Sequence, residues 1–371
     1  MSDAKKILTN LLKLADIRIN GDRDGDITVH NQKLYARALA KGSIGLGEAY
    51  MDGWWDCEKV DVFFEKLLTA RLDRKVKPVS LIFPVLKSML LNAQTKKRSK
   101  KVAEVHYDLG NDFYKDMLDK RMQYTCAYYK NTDNLEEAQK NKLDLICRKL
   151  KLKKGERVLE LGGGWGGFAK YASENYGVHV TSYNISAEQV KYAREICKGL
   201  PVEIIQSDYR DAKGQYDKIA SIGMCEHVGP KNYGKFIELA RKCLKKRGLF
   251  LLHTIGRDVK FETGGDQWIK KYIFPEGYIP SLKELAPAFN NKLIMEDWHN
   301  FGADYSKTTY AWWERFEENW HKHKEEYGER FYRMWRYYLL ACAGNFRTRR
   351  LELWQIVLSK EGILGGYESE R

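Results

Sequence analysis

No run in the sequence approaches the roughly 20 consecutive apolar residues that a bilayer-spanning helix needs, so an integral helical membrane protein is excluded. The opening MSDAKKILTNLLKL lacks an apolar core followed by a small-residue cleavage site, and a cytosolic protein is expected. Cysteine is scarce. The seven present, at 57, 126, 147, 197, 225, 243 and 342, form no CxxC pair and no His-rich spacing. Reduced thiols and no metal site follow, most of the cysteines serving as small buried hydrophobes. Acidic residues are in deficit, 50 against 64 Lys and Arg, which leaves a formal net charge of +14. Such an excess favours an anionic partner, either nucleic acid or an acidic membrane face. No nucleic-acid-binding module is recognisable, and there is no internal repeat.

What is present suits a globular protein with one large core and a smaller unit: 43% of the residues are apolar and 31% charged. The 10 Trp and 23 Tyr fit a membrane interface or a large apolar pocket, and equally an ordinary aromatic core. Residues 1–90 read as an N-terminal, mostly helical domain with a short strand-like DGDITVH, a Gly-rich KGSIGLGEAYMDGWWD and a helical VDVFFEKLL. The apolar helical stretch 80–92 is too short to span a membrane; it is a packing face or a shallow lipid contact. Residues 91–101 read as a linker, whose basic run TKKRSKK (95–101) is either a solvated connector or a patch for anionic head groups.

From 102 to 371 strands alternate with helices, the pattern of a parallel sheet covered on both faces. The expected strands are 157–162, 179–184, 202–208, 216–223 and 249–256. The stretch NYGKFIELARKCLKKRG reads as a helix ending in a basic turn and Gly248.

The stretch Glu160-Leu161-Gly162-Gly163-Gly164-Trp165-Gly166-Gly167 follows a strand and opens a helix. Its glycines allow a sharp turn and close approach of a ligand to the backbone. A dinucleotide site is disfavoured, because Glu160 just before the glycines would repel a pyrophosphate yet could accept hydrogen bonds from a cofactor ammonium group. The spacing, with Gly162, Gly164 and Gly166, looks like the first motif of class I S-adenosylmethionine-dependent methyltransferases. In such folds Asn184, Ile185 and Gln189 follow the second strand near the ribose, and Asp208 and Tyr209 close the third beside the adenine. Ser186 also reads as a helix N-cap, with Gln189 completing a capping box.

Seven further stretches are more specific: 106–119, MQYTCAYY (122–129), GMCEHVGPKNY (223–233), LLHTIG (251–256), KYIFPEGYIP (271–280), EDWHNFGADY (296–305) and YYLLACAGNFR (337–347). Together they resemble the cyclopropane-fatty-acyl-phospholipid synthases and the related mycolic acid cyclopropane synthases, and GSIGLGEAYMDGWW (42–55) is similar to the extra N-terminal unit of the phospholipid-acting members. The resemblance implies an α/β fold of the class I S-adenosylmethionine methyltransferase type, Rossmann-like, with a mixed seven-stranded sheet. It also implies S-adenosylmethionine and bicarbonate as cofactors, and membrane phospholipids with cis-unsaturated acyl chains as substrate. An anionic membrane surface and a second copy of the chain are the implied partners, with peripheral association at the inner face of the membrane.

The implied chemistry is attack of the alkene on the sulfonium methyl, then loss of a proton from that methyl and ring closure. The residues matching the bicarbonate site are Cys126, Glu226, His253, Ile255 and Tyr305. His253 and Tyr305 are the implied donors to the anion, Glu226 its orienting partner, and Ile255 a backbone contact. Tyr124 and Thr125 match cofactor contacts, and Cys342 lies in a family hallmark sometimes read as catalytic. Taken singly, each has a plainer reading: a loop acid, a core histidine, a packing tyrosine, buried thiols. Many relatives carry Cys where this chain has Gly163, so a thiol there is not required. Alternative readings are an enzyme that stops at a methyl branch, a small-molecule methyltransferase, and a membrane-binding protein with a dead site.

Overall fold

The expected alternation of apolar runs and helices builds a sheet, but the chain does not divide as the linear reading implies. The computed structural model describes residues 3–72, 109–258 and 266–371. The apolar stretch 80–92, the basic run 95–101 and the start of the 106–119 motif lie outside the described residues. Of the described chain, 3–72, 266–275 and 306–350 form one compact unit, and 109–258, 276–305 and 351–371 form the other. The division expected near 91–101 therefore misses two later segments that join the N-terminal residues.

In the first unit, α1 (Asp3–Leu14), α2 (Lys33–Met51) and α3 (Val60–Thr69) surround a two-residue antiparallel ladder of β1 (Thr28–Val29) and β2 (Trp55–Asp56). The Gly-rich stretch is helical up to Met51, with a kink at Gly42, and ends in β2.

The second unit opens with α4 (Asn111–Met117) and α5 (Leu135–Lys149), the latter capped by Asn134, whose side chain accepts from the Glu136 and Glu137 N–H groups. Then come β3 (Arg157–Leu161), α6 (Gly167–Tyr176), β4 (His179–Asn184), α7 (Ala187–Ile196), β5 (Val202–Gln206), β6 (Tyr216–Ile222), α8 (Tyr233–Cys243) and β7 (Leu244–Arg257). The chain continues through α9 (Gln267–Tyr272), α10 (Leu282–Phe289), β8 (Ile294–Asn300), α11 (Ala303–Asn319), α12 (Lys324–Arg347) and β9 (Leu351–Ser359). Helix α8 stops at Cys243, not at Gly248. Gly248 lies inside β7, where a Cβ would meet the Leu244 side chain at 2.5 Å and the Asp217 carbonyl at 2.8 Å.

Among the described residues the main sheet has seven strands in the order β5-β4-β3-β6-β7-β9-β8, parallel up to β7 and antiparallel through β9. Strand alternation sends Leu159, Leu161, Ile219, Phe250 and Ile356 to one face, against Phe236, Ile237 and Ala240 of α8. Val158, Val180, Ala220, Leu251 and Val357 take the other face, against α5 and α6. Each such aliphatic side chain contributes about 2 kcal/mol by leaving water. The parallel strands bring the C-terminal ends of β3, β4, β6 and β7 to one edge, where ligands bind in open α/β sheets.

Helix α12 belongs to the helical unit for steric and ionic reasons. A Cβ on Gly344 would lie 2.7 Å from the Asp61 carbonyl oxygen, so only glycine lets the helix approach α3 so closely. Arg347 then pairs with Asp61 at 2.8 Å and Glu65 at 2.9 Å.

Candidate active site

The glycine turn between β3 and α6 is shaped by its neighbours. Gly162, Gly164 and Gly166 all have positive φ, and a Cβ on Gly166 would press 2.8 Å from that of Ala193 in α7. Gly163 is different: its φ is ordinary, but a Cβ would sit 1.9 Å from the Ser182 hydroxyl. That hydroxyl donates to Glu160 Oε2 at 2.6 Å. The position therefore excludes any side chain as long as Ser182 is present, a coupling that the glycine pattern alone does not reveal. Glu160 is buried, and desolvation raises its pKa to about 7 against the opposing effects of Ser182 and the Lys142 charge.

Asn184 ties the second strand to this turn. Its Nδ2 donates to the Gly164 carbonyl at 2.8 Å and to Gln189 Oε1 at 2.9 Å, while its Oδ1 accepts from the Ser186 N–H at 3.1 Å. Ser186 caps α7 as expected, accepting from the Gln189 N–H. The capping box does not form, because the Gln189 side chain turns to Asn184 and the Ser186 N–H is already taken. Ile185 is half-buried between them in sequence. Beyond β5, Asp208 Oδ1 accepts from the Arg210 N–H at 2.9 Å and its Nε at 2.8 Å, and Tyr209 packs edge-on against Phe236.

A second loop meets the glycine turn. The rings of Tyr114 and Tyr124 lie 5.4 Å apart, and Tyr114 and Trp165 4.9 Å apart; Trp165 Nε1 donates to Asn111 at 2.8 Å. Thr125 is held from below, its carbonyl by Gln139 Nε2 at 2.8 Å and its hydroxyl by Lys142 Nζ at 2.9 Å. Cys126 is fully buried, its Sγ 3.2 Å from the Ala127 carbonyl.

The ends of β6 and β7 carry the acid and the imidazole. Glu226 Oε1 accepts from the Ile255 N–H at 2.6 Å. Glu226 as a residue is half-buried, yet its Oε2 is sealed from solvent and has no hydrogen-bond partner among the described residues. Burial raises its pKa to about 7. His253 is 1% exposed. Gln355, opposite it on β9, donates through Nε2 to His253 Nδ1 at 3.2 Å. With that amide orientation Nδ1 accepts and the proton resides on Nε2, which has no partner among the described residues. Desolvation first, then the Lys142 and Lys149 charges, hold the imidazole well below its ordinary pKa, so it is a neutral donor. Phe301 stands edge-on to His253 at 6.1 Å, with Tyr128 and His299 against Phe301. Tyr305 is buried at the start of α11, and its neighbour Asp304 accepts from the Tyr129 N–H at 2.8 Å, joining this turn to the 122–129 loop.

All the candidates except Cys342 belong to the sheet unit. Cys342 lies on α12 in the helical unit, and burial pushes its thiol up to about 12, which keeps it protonated. Ser182, Gln139, Lys142 and Gln355 were not anticipated. Gln139 and Lys142 did leave a signal: both sit in phase with Leu135, Ala138 and Ile146 on the apolar face of α5.

Buried orphan atoms on Glu226 and His253 fit a small oxyanion, and the glycine turn with Glu160 fits an amino-acid-bearing cofactor. The comparisons bear on the family and the cofactor. The family described as mycolic acid cyclopropane synthetase matches residues 94–356. The chain is 50% identical over 367 residues, 99% of its length and 96% of the relative's, to the cyclopropane-fatty-acyl-phospholipid synthase of Escherichia coli K12. It is 30% identical to the tuberculostearic acid methyltransferase UfaA1 of Mycobacterium tuberculosis, covering 92% of this chain and 84% of the relative. Among solved structures, mycolic acid cyclopropane synthase CmaA1 with S-adenosylhomocysteine superposes with a TM-score of 0.66 at 28% identity, covering 70% of this chain and 98% of that one.

Proposed function

The chain belongs to the mycolic acid cyclopropane synthetase family, and we propose that Glu226, His253, Ile255, Tyr305 and Cys126 hold a bicarbonate ion as the base of its reaction. The activity is S-adenosylmethionine-dependent cyclopropanation of fatty acyl chains in phospholipid, and the fold is that of class I methyltransferases. The observation carrying the bicarbonate reading is a pair of buried atoms without partners among the described residues, Glu226 Oε2 and His253 Nε2.

S-adenosylmethionine, when bound, supplies an electrophilic methyl carbon. Bicarbonate, when bound, supplies a base small enough for a sealed pocket. The residues do the rest. Glu160 accepts hydrogen bonds from the cofactor ammonium, and Tyr124 and Thr125 contact its amino-acid end. Asn184, Ile185 and Gln189 border the ribose, while Asp208 reads the adenine amino group beside Tyr209. With that methyl carbon in place, attack by the alkene π electrons would leave a cation on the acyl chain and S-adenosylhomocysteine as leaving group. Phe301, Tyr128 and Tyr305 offer aromatic faces to that cation and exclude the water that would quench it. Neutral His253 would donate from Nε2, and Glu226, whose carboxyl burial holds partly protonated at neutral pH, would face the base through Oε2, so both would fix it at the methyl hydrogens. Loss of that proton releases the electron pair that closes the ring. Cys342, protonated, is assigned no step.

The test is incubation with S-adenosylmethionine and vesicles of a cis-unsaturated phospholipid, followed by mass spectrometry and NMR of the acyl chains. Cyclopropane ring protons with loss of the olefin signal are expected, and the rate should fall in carbonate-free buffer. A methyl-branched product would overturn ring closure. An undiminished rate without bicarbonate would overturn the base. No described helix is long and apolar enough to cross a membrane, and the +14 charge supports docking at an anionic inner leaflet. Vesicle binding should weaken as salt rises; binding indifferent to salt would reject the electrostatic part.

A further inference from the structure

Helix α5 carries a lysine where a core helix would ordinarily place leucine or methionine. Lys142 is 0% exposed. Its Nζ donates to Gln123 Oε1 at 2.5 Å and to Thr125 Oγ1 at 2.9 Å, both neutral oxygens. Among the described residues no carboxylate pairs with it. An ammonium group buried without a counter-ion is costly, and two of its three donors are used. Burial pulls its pKa to about 8, with Asp119, Cys126 and Glu160 acting in the opposite direction, and its charge in turn depresses the His253 pKa. The lysine thus lies within electrostatic reach of both the glycine turn and the base pocket, beneath the loop that carries Thr125 and Cys126.

We infer that Lys142 is a positioning residue: it fixes the 123–126 loop from below and supplies the positive counter-charge for the anionic base. This rests on the bicarbonate reading above. Glu160 faces the net positive cofactor, and Lys142 is placed to offset the anion. Removing Lys142 takes away one of the two lysine charges, Lys142 and Lys149, that act on His253.

Two variants separate loop anchoring from charge. Lys142→Gln keeps donors for Gln123 and Thr125 and removes the charge; Lys142→Met removes both. The readouts are binding of 13C-labelled bicarbonate by NMR with S-adenosylhomocysteine bound, and S-adenosylhomocysteine affinity by calorimetry. Lys142→Gln should weaken bicarbonate binding about tenfold or more, as loss of a charge contact implies, with S-adenosylhomocysteine affinity within about threefold of wild type. Lys142→Met should weaken both. Unchanged bicarbonate affinity in folded Lys142→Gln, with wild type binding the ion, overturns the lysine inference alone. Wild type that does not bind the ion overturns the bicarbonate reading, and the inference with it.

Discussion

The two ends of the site are built in opposite ways. At the cofactor end the polar groups are already spoken for: Ser182 serves Glu160, Asn184 serves the Gly164 carbonyl and Gln189, and Arg210 serves Asp208. At the base end, Glu226 and His253 each use one atom on the protein and leave the other buried and unpartnered among the described residues. The first end is a cradle whose shape is set before a ligand arrives. The second carries a desolvation cost that a small polar guest relieves. Binding and chemistry should therefore be separable by mutation.

The largest effect is expected from His253→Ala, which should lower ring formation by about a hundredfold or more while leaving S-adenosylhomocysteine affinity within about threefold. A parallel loss of affinity would break the distinction between the ends. Next comes a gain. Burial lifts the Glu226 pKa from 4.5 to about 7, so its cost to the fold is absent below pH 4.5, grows between the two values, and is complete above 7. Glu226→Gln should thus be more stable than wild type at pH 8 by roughly 3 kcal/mol, with the gain shrinking towards pH 5, as read by denaturant unfolding at both pH values. Equal stability at pH 8 would mean that the buried carboxyl has found a partner.

A smaller loss tests the cradle. Gly163→Cys should destabilise the protein by about 2 kcal/mol through overpacking against Ser182, and Ser182→Gly in the same chain should restore the melting temperature. Failure of that rescue would place the constraint elsewhere in the turn. The mildest effect is Glu160→Gln, expected to weaken S-adenosylhomocysteine binding about tenfold by calorimetry, since it loses a charged acceptor and keeps a neutral one.

Much of this was legible in linear order. The five parallel strands, the glycine turn and the Glu226, His253 and Tyr305 motifs are local signals, and local signals survive being read along the chain. Strands β8 and β9 were anticipated only as part of a seven-stranded count. Their positions depend on pairing between residues far apart, and β9 enters the sheet between two strands that precede it. The end of α8 was misplaced because a basic turn followed by glycine reads the same at a helix terminus and at the start of a strand.

Sequence alone determined the chemistry available: an acid before a glycine turn, an acid and an imidazole at strand ends, and an excess of positive charge. Only the tertiary structure decided which of those groups are satisfied. It bound Glu160 to Ser182, set Gln355 against His253, put Lys142 under Thr125, and packed α12 on α3. The reason is physical. Residue type specifies how many hydrogen bonds and charges a side chain brings, whereas burial and the partner across the fold decide what each of them costs.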